Sequence, residues 1–304
     1  MNKTMCRVSL LIGIAVAICG CRTEYLSSWN KHSESYQALV KTVDRVKYYP
    51  IKVAVFDFDG TIFCERDRTY LDWGVAARYV QDNADKFTDK DIRIANDVIS
   101  TGKIPAEDSS FVYRVWAGVP LREYIGSIHD YLDEPMTTNP NLKRFDSLFK
   151  PMIEVIEYLK DNDFKVFICT ETDRWLARCI IPQRLVSSDN IIGSSFEYDV
   201  RFCKSGRVAD LVCTGKMQEK NLKEYKILSI INEIGKWPML VFGNSSSDYA
   251  MAHITFPEYA FMVLCDDTER YRGDIEESVS VYMECRKNGW TPISMRNDWK
   301  VVYK

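Results

Sequence analysis

The feature that most constrains this chain is a short apolar run rich in β-branched residues, Ile51 to Phe56, that ends in Asp57-Phe58-Asp59-Gly60-Thr61. Such a run reads as a parallel strand covered on both faces. In open α/β sheets, ligands bind just beyond the carboxyl ends of the strands, and this strand presents two carboxylates at that edge. Residues two apart along an extended chain share a side, so Asp57 and Asp59 converge on one ligand. Gly60 permits the sharp turn that must follow.

The same pattern recurs. Runs at Phe164 to Cys169, Pro238 to Phe242 and Tyr259 to Cys265 also read as buried strands. The first of these follows a helical stripe of Met152, Val155, Ile156 and Leu159. The second follows another, of Leu222, Tyr225, Ile227, Ile230, Ile231 and Ile234. A further helix is expected from Ser33 to Lys47. Strands alternating with helices predict an α/β fold, a Rossmann-like doubly wound parallel sheet. Residues 69–149 carry helical patterning and frequent aromatics but no clear strand, and are too long for a loop. They are expected to form an inserted helical cap over the strand ends, with residues 21–68 and 150–304 making the core.

The 304 residues are 46% hydrophobic and 27% charged, an ordinary globular composition. A net charge of -3 gives no nucleic-acid footprint. The first twenty residues form a separate object: Lys3 and Arg7, an apolar run from Val8 to Ile18, then Cys19-Gly20-Cys21. The run is shorter than the roughly 20 residues of a bilayer span and has the length of a signal-peptide core. Gly20-Cys21 resembles a bacterial lipobox, which makes residues 1–20 a signal peptide and Cys21 a lipidated mature N-terminus. An ordinary signal peptide and an uncleaved anchor are the alternatives. All three imply export, to a periplasmic location with membrane contact only through the N-terminus. Of the ten cysteines none forms a C-x-x-C pair, so zinc and dithiol chemistry lack the spacing they need. Most read as small buried thiols. Cys203 and Cys213 flank a turn-like Lys204-Ser205-Gly206-Arg207 and are expected to face each other across a hairpin. The three histidines, His32, His129 and His253, are scattered and read as structural.

With Asp57 and Asp59 on a buried strand, the chain resembles the haloacid dehalogenase (HAD) superfamily of phosphatases, and it offers a candidate for each of their four motifs in order. The resemblance implies that Asp57 attacks phosphorus. Asp59 then protonates the leaving oxygen and afterwards activates water; true dehalogenases generally lack this second aspartate. It implies Thr170, after Val166-Phe167-Ile168-Cys169, as a binder of phosphoryl oxygen. It implies Lys216, in Thr214-Gly215-Lys216, as the charge-compensating lysine, with Lys220 in reserve. The fourth motif is Gly243-Asn244-Ser245-Ser246-Ser247-Asp248, where many relatives have aspartate in place of Asn244; an amide oxygen still suits magnesium, with one charge less. The implied metal set is Asp57, Asp59 through its carbonyl, Asn244 and Asp248. Glu65 and Arg66 are candidates for contacting the leaving group, by similarity to phosphoserine phosphatases. Leu26-Ser27-Ser28-Trp29-Asn30, Gly193-Ser194-Ser195, the GNSxxD form and the terminal Asn288-Gly289-Trp290…Asp298-Trp299-Lys300 resemble an exported, phosphoserine phosphatase-like group.

Charge explains the need for the metal. With Asp59 protonated, Asp57 and Asp248 outweigh one lysine, and the site would repel a phosphate dianion. Magnesium reverses that sign. The expectation is a magnesium-dependent phosphomonoester hydrolase working on a small phosphorylated metabolite through an aspartyl-phosphate. The rivals are a phosphotransferase or mutase of the same superfamily, and an inactive lipoprotein that binds a phospho-ligand. The assembly state is left open.

Overall fold

The computed structural model describes residues 25–65, 67–105, 108–202, 209–271 and 273–303. The export segment with Cys21, and also Arg66 and Cys203, lie outside the described residues.

Seven strands form one sheet: β1 (Val53–Phe56), β2 (Lys165–Asp173), β3 (Ile191–Phe202), β4 (Ala209–Glu219), β5 (Leu240–Gly243), β6 (Ala260–Leu264) and β7 (Thr291–Ser294), in the order β4-β3-β2-β1-β5-β6-β7. All neighbours pair in parallel except β3 and β4, which are antiparallel. The four expected strands are β1, β2, β5 and β6. The sequence reading missed β3, β4 and β7, and an all-parallel sheet is corrected to one with an antiparallel edge. The reason is physical: only interior strands, covered on both faces, read as apolar runs. The outer half of β3 carries Glu197, Asp199 and Arg201 and points into solvent, while β7 has four residues, one of them Pro292. In the β3–β4 register Cys213 lies opposite Tyr198. Cys64, Cys169, Cys213, Cys265 and Cys285 are buried thiols.

The helices are α1 (Glu34–Val46), α2 (Leu71–Asp82), α3 (Asp89–Thr101), α4 (Phe111–Trp116), α5 (Leu121–Asp133), α6 (Lys150–Asp161), α7 (Arg174–Ile180), α8 (Glu224–Ile234), α9 (Tyr249–Ala252), α10 (Ile275–Asn288) and α11 (Met295–Asp298). Helices α2 to α5 stand between β1 and β2 in the chain and pack on one another, with α4 and α5 also resting on β4. Two segments singled out in the sequence meet in the core. Trp29 and Trp299 form an antiparallel bridge, and the buried Trp29 indole donates to the Pro151 carbonyl at 3.0 Å.

The chain runs outward from β1 through β2, β3 and β4, then crosses back to β5 on the other side of β1. Crossovers that diverge from two adjacent parallel strands leave a crevice beyond their carboxyl ends. Here it opens between β1 and β5, which deliver Asp57 and Asn244. A row of buried aromatic rings crosses β1, β5 and β6 and ties the first two together near their ends. Phe56 stacks on Phe242 at 4.2 Å between ring centroids, and Phe242 on Phe261 at 5.1 Å. Phe56 directly precedes Asp57, and Phe242 stands two residues before Asn244. Phe56→Ala should therefore cost about 3–5 kcal/mol, read as a lowered denaturant midpoint with an unchanged slope; a loss under about 1 kcal/mol would mean that the stack does not set the strand ends.

Candidate active site

The turn after β1 is built from alternation. Phe58, Ile62 and Phe63 are buried, with Phe58 and Phe63 stacked at 4.9 Å, and the Ile62 and Phe63 N–H groups donate to the Phe58 carbonyl at 2.9 and 3.1 Å. Pinning the apolar residues inward turns the intervening Asp57 and Asp59 to a cavity of about 850 Å³. Gly60 closes the turn at φ +70°, and a Cβ there would sit 2.1 Å from the Asn244 side-chain amide. Only glycine allows both that backbone and that approach.

Asp57 is held by a lysine that the sequence reading did not select. Lys226, on the first turn of α8, donates through Nζ to Asp57 Oδ1 and to Asp248 Oδ1, each at 2.6 Å, and its side chain is 0% exposed. The other Asp248 oxygen accepts from the Asn244 and Ser245 N–H groups at 3.0 and 3.1 Å. Both oxygens of Asp248 are thus spent on the lysine and on the loop it shapes. Burial pushes the Asp57 carboxyl up to about 7; repulsion from Asp248 adds to this, and the Lys226 ammonium pulls the other way. Burial also opposes the charge on Lys226, but Asp248 and Asp57 outweigh it and its pKa is raised. Lys226 therefore stays an ammonium at any pH the fold tolerates.

Lys216 is not in this cluster. It lies on β4 near the sheet edge, its side chain is 78% exposed, and its amine is 4.0 Å from Glu197. Lys220 lines the cavity but pairs with Glu171 at 3.0 Å. A signal for Lys226 existed: it falls one turn before Ile230, on the buried face of α8, where a lysine must have a partner.

Asp59 accepts from the Thr172 hydroxyl at 2.5 Å and from the Thr170 hydroxyl at 3.4 Å. Burial, and next the Asp57 charge, raise its pKa well above the ordinary carboxyl range, against the Thr172 hydrogen bond. Its surroundings thereby favour the protonated form. Thr170 is fully buried beside it, whereas Thr172 lines the cavity. The backbone here is steadied by the buried Asn221, whose Nδ2 donates to the Thr170 carbonyl at 2.9 Å. Nothing in the sequence pattern marked Asn221. Glu65 lines the cavity as well.

The Asn244 amide has two seats. With its nitrogen inward it donates to the Asp59 carbonyl at 2.8 Å, to Thr61 Oγ1 at 3.1 Å and to Asp57 Oδ2 at 3.2 Å. With its oxygen inward, it accepts from Thr61 Oγ1 at 3.1 Å and faces two further oxygens. Neighbouring oxygens in an octahedron of magnesium bonds lie about 3.0 Å apart, as follows from bonds of about 2.1 Å. The distances from the Asn244 amide to the Asp59 carbonyl and to Asp57 Oδ2 are of that size, so these donors suit a small, hard cation, and the amide in its other seat satisfies the same oxygens by hydrogen bonding. No cluster of three His, Cys, Asp or Glu suited to a metal occurs among the described residues; this set uses an amide and a carbonyl instead.

Comparison with known proteins follows the same lines. A model of haloacid dehalogenase-like hydrolases matches residues 54–253. No curated protein matches the chain. Among solved structures, a protein of unknown function from Bordetella pertussis Tohama I is similar, with a TM-score of 0.54 at 14% identity over 80% of this chain and 98% of that one. A conserved protein of unknown function from Anaerococcus prevotii DSM 20548 has a TM-score of 0.50 at 14% identity, over 86% and 92%. A phosphoserine phosphohydrolase-like protein from Francisella tularensis has a TM-score of 0.42 at 16% identity, over 81% and 96%.

Removing Lys226 tests the electrostatics. Lys226→Met should cost about 3–5 kcal/mol at neutral pH, because two buried carboxylates lose their shared cation. The loss should depend on pH. Without the ammonium the folded-state pKa of Asp57 rises further above its unfolded value. The deficit is then level from about pH 5 to 7, where the unfolded chain ionises Asp57 and both folded proteins keep it protonated, and grows above about pH 7, where only the wild type ionises it against the ammonium. Denaturant unfolding of both proteins from about pH 5 to 9 measures this; a deficit independent of pH would show that packing, not charge, is what Lys226 contributes.

Proposed function

Because this chain belongs to the haloacid dehalogenase-like hydrolase family, we propose that it is a magnesium-dependent phosphatase that hydrolyses phosphate monoesters through Asp57. One observation carries the reading: a carboxylate clamped by a buried ammonium stands at the cavity beside a second carboxyl, two residues on, that its surroundings keep protonated. Carbon–halogen hydrolysis needs the first group; expulsion of an alkoxide needs the second as well. A protein that only binds a phospho-ligand would have no use for Asp59.

In the first step an Asp57 oxygen bonds to phosphorus as the bond to the ester oxygen breaks, and the Asp59 proton passes to the departing alcohol. In the second, water attacks the aspartyl-phosphate, its proton returns to Asp59, and Asp57 is released with inorganic phosphate. Lys226 takes the charge-compensating role that the resemblance assigned to Lys216, since it touches the nucleophile. Thr170 is the proposed hydroxyl for a phosphoryl oxygen. Asp57 Oδ2, the Asp59 carbonyl and the Asn244 oxygen would hold magnesium, which when bound offsets the negative charge of the phosphoryl group. Asp248 acts from behind, by holding Lys226 and the Asn244 loop. Helices α2, α4 and α5, with β3 and β4, form the cap that separates the reaction from bulk water.

Turnover of an aryl phosphate by the purified protein should require magnesium, stop with chelator, and fall at least about a thousandfold in Asp57→Asn. Absence of magnesium-dependent turnover would sink the phosphatase reading, and turnover that persists in Asp57→Asn would remove the nucleophile. Export with lipidation at Cys21 belongs to the same proposal and rests on Lys3, Arg7, the apolar run and Gly20-Cys21. Labelled palmitate fed to expressing bacteria should enter the wild type and not Cys21→Ser; equal labelling of both would end the lipoprotein reading.

A further inference from the structure

The chemistry of the leaving group can be read from the rest of the cavity. Among the described residues its lining has seven carboxylates, Asp57, Asp59, Glu65, Asp72, Glu171, Asp173 and Glu277, against one lysine, Lys220. Glu171 already engages that lysine at 3.0 Å. An anionic leaving group would therefore enter a field of its own sign with the lysine taken.

Asp173 is the most telling member. It ends β2, is 6% exposed, and uses only one oxygen within the fold: Oδ1 accepts from the Trp175 and Leu176 N–H groups at 3.0 and 3.3 Å and from the Tyr124 hydroxyl at 3.2 Å. Oδ2 is buried and has no hydrogen-bond partner, an arrangement that costs free energy unless a ligand supplies one. Burial raises the Asp173 carboxyl to about 6, and likewise that of Asp72 across the cavity lining. A bound cation would relieve both. The walls between them are aromatic. Phe196 packs edge-on to Tyr124 at 5.8 Å and to Tyr113 at 6.1 Å, and Tyr70 edge-on to Trp73 at 5.0 Å. All five rings line the cavity, and ring faces attract cations.

We propose that the substrate is a phosphate monoester of an alcohol bearing an ammonium group, the phosphate at Asp57 and the ammonium near Asp173 between the aromatic walls. The inference rests on the phosphatase reading and adds the substrate class to it. The Asp173 oxygen, the acidic lining and the aromatic walls each favour a cation, and together they disfavour sugar phosphates and carboxylated esters.

The test is a panel of esters on the wild type and on Asp173→Asn, which keeps an oxygen to cap α7. Phosphocholine and phosphoethanolamine supply quaternary and primary ammonium groups. The uncharged 3,3-dimethylbutyl phosphate copies the shape of phosphocholine, and an aryl phosphate serves as reference. In the wild type, kcat/KM for at least one ammonium ester should exceed that for dimethylbutyl phosphate by about tenfold or more, the scale of one favourable charge interaction in a partly dry site. In Asp173→Asn that ratio should fall toward one, through KM more than kcat. A wild-type ratio near one, with the aryl phosphate turned over, overturns this inference and leaves the phosphatase reading standing. A ratio undiminished in Asp173→Asn overturns it too. No turnover of any ester overturns both.

Discussion

The ammonium of Lys226, held at 2.6 Å from both Asp57 and Asp248, is the interaction on which the rest of the site depends. Two carboxylates this buried cannot sit side by side as anions without a cation between them. The lysine reaches them from α8, Asp57 arrives from β1, and Asp248 follows β5. One charged contact therefore joins three elements at the crevice where the sheet reverses its order. Asp248 extends the tie by accepting the two N–H groups of the loop that carries Asn244, so the clamp positions Asp57 and its amide neighbour together.

The two aspartates beyond β1 are alike in sequence and opposite in circumstance. Asp57 has an ammonium against it; Asp59 has hydroxyl donors, a neighbouring negative charge and a desolvating surround. Environment alone separates them: the ammonium favours the ionised form of Asp57, and nothing of that sign opposes the proton on Asp59, which is how identical side chains suit two roles. The same logic extends outward. Among the described residues no ion pair holds Asp173 or Asp72, and burial raises both carboxyls, so the wall they line is acidic. On the proposed reading the phosphoryl group lies beside the buried cation at Asp57 and a positive charge near Asp173, so a substrate with opposite charges at its two ends suits the cavity.

Much of this was legible before any coordinates. The interior strands declared themselves because burial on both faces demands continuous apolar sequence, and the motif residues Asp57, Asp59 and Asn244 stand at their ends, where backbone direction places them. Lys226 was harder: a lysine among isoleucines on a helix looks like surface until the helix face is known, whereas Lys216, with a better local motif, lies exposed on β4. Asn221, Thr172 and Asp173 carried no pattern, since their positions depend on how β2 and β3 meet. The β3–β4 hairpin was missed because half of it lies against solvent and is polar.

The sequence by itself determined the α/β layering, the ends of the interior strands and the identity of the paired aspartates, because these follow from local periodicity and from the direction of a buried strand. Only the tertiary structure decided which lysine neutralises Asp57, which oxygens face one another around Asn244, and which carboxylates and rings line the cavity. Those contacts join residues more than a hundred positions apart, such as Asp57 with Lys226. Spacing along the chain does not encode such pairings; they arise when buried charges find the partners that make their burial tolerable.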